Sequence, residues 1–414
     1  MKKVLFIAYH FPPIAGGGTF RSLKFVKYLP EFGWLPTVIT TNTKTSWAYD
    51  NELLKEIPPE VKIIRAPELN FFYLHVIFSK IGLSELYRKF KDRWFIPDDK
   101  IGWLPFAYYQ GRKELKKQHY DLIFSTSPTP CAHLVARKLK KTFNMPWICD
   151  FRDYWTMHFT YPYGKTTRGK YEKELELSFF QNADRIITVS EGVKRDFLTT
   201  YSDSIIHVIT NGYDDDGMSN IRKCTKFKIL YTGSFYGHYN PALFLSAVKK
   251  AVEEQPALKR SLSLFFAGNY PPDIKMMFNK YRDSFTLNYV DFMSPNQLEK
   301  EYLSAAILLL ILPADKHYAT YLPAKLFTYL NKNCPVFAVI PDGETKALLL
   351  KSNIGFFANP NSAEDIKNQL IFLHQLWQNG NLRVEPNDNY IRQFHRRHLT
   401  ESLVNIFNRL KNQR

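Results

Sequence analysis

Residues 4–18 read Val4-Leu-Phe-Ile-Ala8, Tyr9-His-Phe-Pro-Pro13, Ile14-Ala-Gly-Gly-Gly18, and a helical pattern opens at Thr19. Five consecutive apolar residues predict a strand buried on both faces, as in a parallel sheet. Two prolines stop it. Three glycines then let the chain turn sharply and bring backbone close to a ligand with no Cβ in the way. Phe20, Leu23, Val26 and Leu29 recur about every three residues, the apolar stripe of a helix that Gly33 ends. A strand, a glycine loop and a helix start make an anion-binding cradle, because free N–H groups and the helix dipole favour the same charge. The alternative is a tight βα turn with no ligand.

The next strand, Pro36-Thr-Val-Ile-Thr-Thr41, runs into Asn42 and carries no acidic residue for ribose hydroxyls. The glycines are not spaced as GxGxxG, and GxxxxGK[ST] is absent, so NAD and P-loop sites are excluded. A sugar nucleotide, whose diphosphate also needs close backbone, remains.

Further out, strands alternate with helices. Asp121–Ser127 and Trp147–Asp153 read as parallel strands, the second with charges at its C-terminal end, where open α/β sheets bind ligands. Ala183–Ser190 and Ile205–Ile209 complete a first half. The pattern restarts at Phe227-Lys-Ile-Leu-Tyr-Thr-Gly233 and continues through strands at Leu264–Gly268, Leu287–Val290, Ile307–Leu312, Pro335–Ile340 and Ile354–Ala358. Ser294-Pro295 and Ser362-Ala-Glu-Asp365 read as helix starts. The fold class is therefore α/β, with two Rossmann-like doubly wound domains. The expected divisions are 1–210, 211–389, and a helical tail 390–414 that returns to the first domain; Asp214-Asp-Asp-Gly217 interrupts the pattern at the join. The cleft between two such domains is the default site.

The 414 residues suffice for two domains of about 200 each. Lys plus Arg number 56 against 39 Asp plus Glu, a formal charge of +17. That balance favours anionic partners such as nucleotide phosphates or an anionic membrane surface, the alternative being a solvated basic surface. No nucleic-acid recognition motif accompanies it. Cys131, Cys149, Cys224 and Cys334 lie far apart, which argues against a disulfide framework or zinc site and for a reducing cytoplasm. The first residues lack the features of a cleavable signal peptide, and the longest apolar run, Leu303–Pro313, is too short for a membrane span. Aromatics interleave with Lys and Arg over residues 70–117, in Phe71–Phe78, Tyr87–Phe95 and Trp103–Tyr109, as on a surface that docks among lipid headgroups. The alternative is that these rings pack as core beneath long loops.

Six segments, in this order and spacing, resemble the retaining GT-B glycosyltransferases of the family 4 type: Tyr9–Gly18; Asp150-Phe-Arg-Asp-Tyr-Trp155; Ala183-Asp-Arg-Ile-Ile-Thr-Val-Ser190; Val208-Ile-Thr-Asn-Gly-Tyr213; Tyr231-Thr-Gly-Ser234; and Pro323-Ala-Lys-Leu-Phe-Thr-Tyr-Leu330 with Cys334-Pro-Val336. The resemblance runs along nearly the whole chain. It implies transfer of a sugar from a nucleotide-diphosphate donor to an acceptor hydroxyl with retention of configuration, with no cofactor and no bound metal. Positive charge and backbone N–H groups must then neutralise the leaving diphosphate. On this reading Gly17 and Gly18 approach the donor, Asn211 and Gly212 look onto the cleft, and Gly233 and Ser234 follow the first strand of the donor domain. Lys325, at a helix start, reaches the diphosphate as a point charge; a solvated surface lysine is the alternative. Asp150, Arg152 and Asp153 either orient an acceptor or donor hydroxyl or form an ion-paired cluster closing the strand end. His158 is a candidate proton acceptor or a structural histidine.

The sequence departs from the family twice. Counting back from Pro335, the family's two glutamates, eight residues apart, fall on Thr320 and Thr328. Thr328 keeps a hydroxyl for a ribose contact but loses the bidentate one. The family's arginine and lysine after the first strand of the second domain are also missing from Gly233-Ser-Phe-Tyr-Gly-His-Tyr239, which puts more weight on Lys325. The expected enzyme is a cytoplasmic transferase, peripheral at the inner face of the membrane, building surface polysaccharide on a lipid-linked or glycan acceptor. A scaffold subunit that keeps the fold without turnover is the alternative.

Overall fold

The computed structural model describes the chain except residues 43–48, 70–77, 79, 203, 215–224, 236–238, 292, 294 and 413–414. Phe71–Ile77, Cys224, Ser294 and most of the Asp214–Gly217 interruption thus lie outside the described residues. The chain divides into two compact units, 1–211 with 396–414, and 212–395.

The first unit is built on a seven-stranded sheet, all parallel: β1 (Lys2–Ile7), β2 (Trp34–Thr41), β3 (Lys62–Ala66), β4 (Leu122–Thr126), β5 (Trp147–Asp150), β6 (Arg185–Thr188) and β7 (Ile206–Val208), in the order β3-β2-β1-β4-β5-β6-β7. Val4 to Ile7 are fully buried in its centre, as a strand covered by helices on both faces must be. Phe6 stands level with Val38 on one side and Phe124 on the other, and its ring lies 4.6 Å from that of Phe124. The strand order reverses between β1 and β4, and the carboxyl ends of such neighbours are where doubly wound sheets bind ligands. The helix Gly17–Tyr28 follows β1, tightens into a single 3₁₀ turn at Leu29–Phe32, and stops at Gly33 with φ 79°. That left-handed φ is open to glycine at no steric cost. Sequence pattern does not announce β3: its Lys62 and Arg65 face outward on a sheet edge, where a charged, half-exposed strand loses the apolar run that marks its neighbours.

The second unit repeats the design with six parallel strands, β8 (Phe227–Thr232), β9 (Leu262–Ala267), β10 (Thr286–Val290), β11 (Ile307–Ile311), β12 (Val336–Val339) and β13 (Gly355–Ala358), in the order β10-β9-β8-β11-β12-β13. Here the order reverses between β8 and β11.

The tail is divided rather than continuous. Up to His395 it belongs to the second unit, with Ile391 and Phe394 buried there and Phe394 5.5 Å from the ring of Phe327. From Arg396 it belongs to the first. The helix Arg396–Asn412 buries Leu403 and Phe407 in that core, Phe407 standing edge-on to Trp34 at 5.0 Å. Lys2 Nζ donates to Asn408 Oδ1 at 2.6 Å. The change of unit thus falls at 395/396, later than the sequence pattern at Tyr390 suggests.

The aromatic–basic segment divides between core and surface. Trp103 and Phe95 are core, while Leu86, Phe90 and Trp94 on the helix Ser84–Trp94 are exposed.

Candidate functional site

In the first unit, the cradle forms where β1 hands over to the helix Gly17–Tyr28. Gly16, at φ 114°, is the N-cap, no side chain caps the first turn, and no acidic residue lies in it. The turn therefore keeps the positive character that unpaired N–H groups give a helix start. A Cβ added at Gly17 would meet nothing within 4 Å, so the space beside its backbone is open. At Gly18 it would sit 3.2 Å from the ring of His10.

Arg152 fixes this loop. Its Nη1 donates to the Gly18 carbonyl at 2.6 Å and its Nη2 to the Gly17 carbonyl at 2.5 Å, while its backbone N–H donates to Ser127 Oγ at 2.9 Å. Burial pulls the guanidinium down to about 10, with the Asp153 charge opposing and Arg21 adding, so it remains a cation at neutral pH. Arg152 is therefore a positioning residue for the glycine backbone.

Asp150 takes the ion-paired alternative. Fully buried at the end of β5, it accepts from Arg21 Nη2 at 2.9 Å and Nε at 3.1 Å, and from Thr126 Oγ1 at 2.7 Å. Arg21 continues to the Thr210 carbonyl at 2.7 Å. The bidentate fork and the threonine occupy the carboxylate, which corrects the expectation that Asp150 touches substrate: it locks the helix Gly17–Tyr28 to the sheet. Asp153 is exposed beside Arg152. His158 is half-buried and stacked on Phe159, its Nδ1 2.7 Å from Thr160 Oγ1 and accepting from the Thr160 N–H at 3.2 Å, which gives it a local structural role.

His10 is the residue that sequence reasoning passed over. It lies just beyond the end of β1, against Gly18, its ring 5.1 Å from Tyr9. Burial lowers it to about 4, and the charges of Lys100 and Arg152 push the same way. It is thus neutral at pH 7 and offers one unprotonated ring nitrogen. Its place at the carboxyl end of a central strand was the available signal.

In the second unit, β8 ends at Thr232 and Gly233 follows it with φ 115°. Lys325, on the short helix Ala324–Leu330, brings its Nζ 3.7 Å from the ring centroid of Tyr231 and within 3.4 Å of Tyr239 Oη. Tyr239 donates its own proton to the Ile311 carbonyl at 2.7 Å, and Tyr231 Oη lies 2.9 Å from Tyr239 Oη. The ammonium thus sits in a tyrosine box, and burial alone holds it well below the usual lysine range. A Cβ at Gly233 would lie 2.8 Å from Nζ, and one at Gly268 only 2.2 Å from the Gly233 carbonyl oxygen. Both glycines are what let the lysine and two loop backbones occupy one spot. Nearby on the same aromatic stack, Tyr270 packs 5.9 Å from Phe235, and its buried hydroxyl has no hydrogen-bond partner among the described residues.

Ser234 and Thr328 are half-buried, and Thr328 lies one turn beyond Lys325 on its helix. Thr320 is half-buried in the loop that the Thr345 hydroxyl and the Glu344 N–H hold, through Tyr321 O at 2.6 Å and Ala319 O at 2.7 Å. Asn211 and Gly212 fall on the two sides of the unit boundary. Residues 236–238 of the loop that departs from the family pattern lie outside the described residues. Among the described residues no group of three or more His, Cys, Asp or Glu side chains is placed to hold a metal ion, and no helix is long and apolar enough to cross a membrane.

Residues 15–216 match the model of Glycosyltransferase Family 4. No curated protein matches the sequence. Among solved structures, sucrose-phosphate synthase from Thermosynechococcus elongatus superposes with a TM-score of 0.68 at 15% identity, covering 100% of both chains. HepE from Anabaena, solved with UDP and glucose, gives 0.64 at 11% identity over 99% of this chain and 100% of its own. TarM from S. aureus, solved with Fondaparinux, alpha-GlcNAc-glycerol and UDP, gives 0.66 at 10% over the same shares.

Proposed function

We propose that this chain, whose residues 15–216 match the model of Glycosyltransferase Family 4 and whose fold is that of GT-B glycosyltransferases, carries out the following reaction. It moves a sugar from a nucleotide-diphosphate donor to the hydroxyl of a lipid-linked or glycan acceptor, with the anomeric configuration retained and no metal taking part. The product belongs to a cell-surface polysaccharide, and the enzyme works in the cytoplasm, peripheral to the membrane. The observation that carries the reading is Lys325: an ammonium boxed by Tyr231 and Tyr239 beyond the carboxyl end of β8, paired with no carboxylate among the described residues and kept clear by Gly233.

A desolvated cation is costly until an anion arrives, and then stronger than one in water. In the reaction the bond from the anomeric carbon to the diphosphate breaks, its electron pair staying on the diphosphate oxygen. Lys325 stabilises that developing charge. A bond to the acceptor oxygen forms, and the acceptor proton passes to an oxygen of the departing diphosphate. Gly17 and Gly18, which Arg152 holds in place, offer backbone to a sugar or phosphate group. His10, neutral at pH 7, accepts a hydrogen bond from a sugar hydroxyl. Thr328 and Ser234 supply hydroxyls to the donor. The UDP in the HepE and TarM structures supports a uridine donor as the first to try.

Thr320 and Thr328, standing where the family has glutamates, favour the second reading, a scaffold subunit that binds without turnover. Thermal stabilisation by UDP, GDP, ADP and CMP, with wild type and Lys325→Ala, tests the donor site, and donor turnover by the isolated chain excludes the scaffold.

A further inference from the structure

The helix Ser84–Trp94 of the first unit is tied down on one side and bare on the other. Tyr87, its buried residue, packs 6.3 Å from Phe95. Tyr163 Oη donates to Asp92 Oδ1 at 2.7 Å, and Arg168 donates to the Phe95 carbonyl at 2.8 Å. These contacts fix which face looks outward. On that face Leu86, Phe90 and Trp94, spaced by four residues, span an arc of roughly 80° at about 100° per residue, and they are 53%, 38% and 65% exposed. Ile81 and Leu83, just before the helix, are exposed as well.

Cations flank this stripe. Lys89 and Arg93 lie along one edge and Lys91 along the other, with Lys80 upstream, all exposed. The two acids of the segment do not oppose them: Glu85 pairs with Arg88 at 2.6 Å, and Asp92 is taken by Tyr163 and Arg168. Scattered exposed apolar residues are ordinary, but five within 14 residues, ringed by positive charge, are a built surface.

We propose that this face docks the chain on an anionic lipid bilayer, with Phe90 and Trp94 sunk among the headgroups and Lys89, Lys91 and Arg93 on their phosphates. The charge selects this occupant. A second copy would bring like cations together, whereas an anionic leaflet attracts each of them and buries the rings. The inference rests on the membrane-peripheral part of the proposed function and makes no use of the donor site.

The test is co-sedimentation of the full chain with vesicles of phosphatidylcholine alone or with phosphatidylglycerol added, together with its sedimentation velocity in solution. Wild type binds the anionic vesicles, less so as salt rises. Leu86→Ser/Phe90→Ser/Trp94→Ser lowers the partition at least about tenfold, and Lys89→Glu/Arg93→Glu removes the preference for anionic lipid, with melting temperature and nucleotide response unchanged in both. Equal binding by the serine variant overturns this surface while leaving a peripheral enzyme standing. A dimer that the serine variant abolishes, without vesicle binding by wild type, assigns the face to a second copy and overturns the proposal. Wild type that ignores both vesicles overturns the membrane reading as a whole, and the nucleotide response still judges the donor site separately.

Discussion

Replacing Lys325 with methionine separates function from stability. The side chain keeps its length and apolar stem but loses the charge. In the ligand-free protein the ammonium is enclosed by Tyr231 and Tyr239, and burial alone drives it toward the neutral form. Removing it forfeits a cation–π contact of about 0.5–2 kcal/mol and relieves a desolvation cost that is larger; swaps of buried charge for apolar volume run from neutral to about 1–4 kcal/mol stabilising. A net gain of about 1 kcal/mol raises melting by about 2–4 °C for a unit of this size. With ligand the sign reverses. Nucleoside diphosphate at 100 times its Kd stabilises the wild type by about 2.7 kcal/mol. A lost charge-assisted hydrogen bond of about 1.5–3 kcal/mol weakens binding by about 13–160-fold and leaves about 0.3–1.3 kcal/mol of that effect. Differential scanning fluorimetry with and without UDP, GDP and ADP reads both quantities. A variant that melts several degrees lower without ligand, or that responds to the diphosphate as wild type does, refutes the assignment of Lys325 to a waiting anion.

Gly17→Ala should raise stability by about 0.5–1 kcal/mol, since its Cβ meets nothing and alanine favours a helix, yet lower donor turnover at least about tenfold; unchanged turnover removes the glycine from the donor site. Asp150→Ala leaves the buried Arg21 uncompensated and should destabilise the first unit by about 3–5 kcal/mol in urea unfolding, with a loss of under 1 kcal/mol contradicting its locking role. Gly268→Ala should melt the second unit at lower temperature, because its Cβ would stand 2.2 Å from the Gly233 carbonyl oxygen; wild-type melting denies that close approach. His133, fully buried, is lowered to about 3 by burial from 6.5. The unfolded chain therefore takes up its proton first as pH falls, and stability present above pH 6.5 is lost toward pH 3. Between pH 6.5 and 4.5 the loss is about 2–3 kcal/mol. Urea unfolding of His133→Gln across that range should show a shallower fall, and an unchanged slope contradicts the neutral, buried ring.

Much of the fold is legible in the sequence because buried parallel strands carry their apolar runs openly, as Val4–Ala8, Ile307–Leu312 and Pro335–Ile340 do. The edge strand β3 does not, since Lys62 and Arg65 face outward and only Ala66 is buried. The site is legible in residue type but not in partnership. Asp150 stands out as a carboxylate at a strand end, yet whether it meets substrate or an arginine depends on Arg21, 129 residues away. Lys325 comes forward through its motif, whereas Tyr231 and Tyr239, which enclose its ammonium, read as ordinary strand and loop residues until packing brings them together. His10 is a lone histidine in a proline-rich loop, and what keeps it neutral is burial beside two cations that sequence cannot place.

The most direct test incubates the isolated chain with a panel of UDP-, GDP- and ADP-sugars and lipid-linked acceptor, following nucleoside diphosphate release and the configuration of the product. Release of one diphosphate that requires acceptor, is lost in Lys325→Met, and yields a glycoside with the donor's anomeric configuration is the predicted result. Diphosphate binding without release assigns the chain to the scaffold role. Neither binding nor release of any diphosphate contradicts the tyrosine-boxed lysine as a donor site.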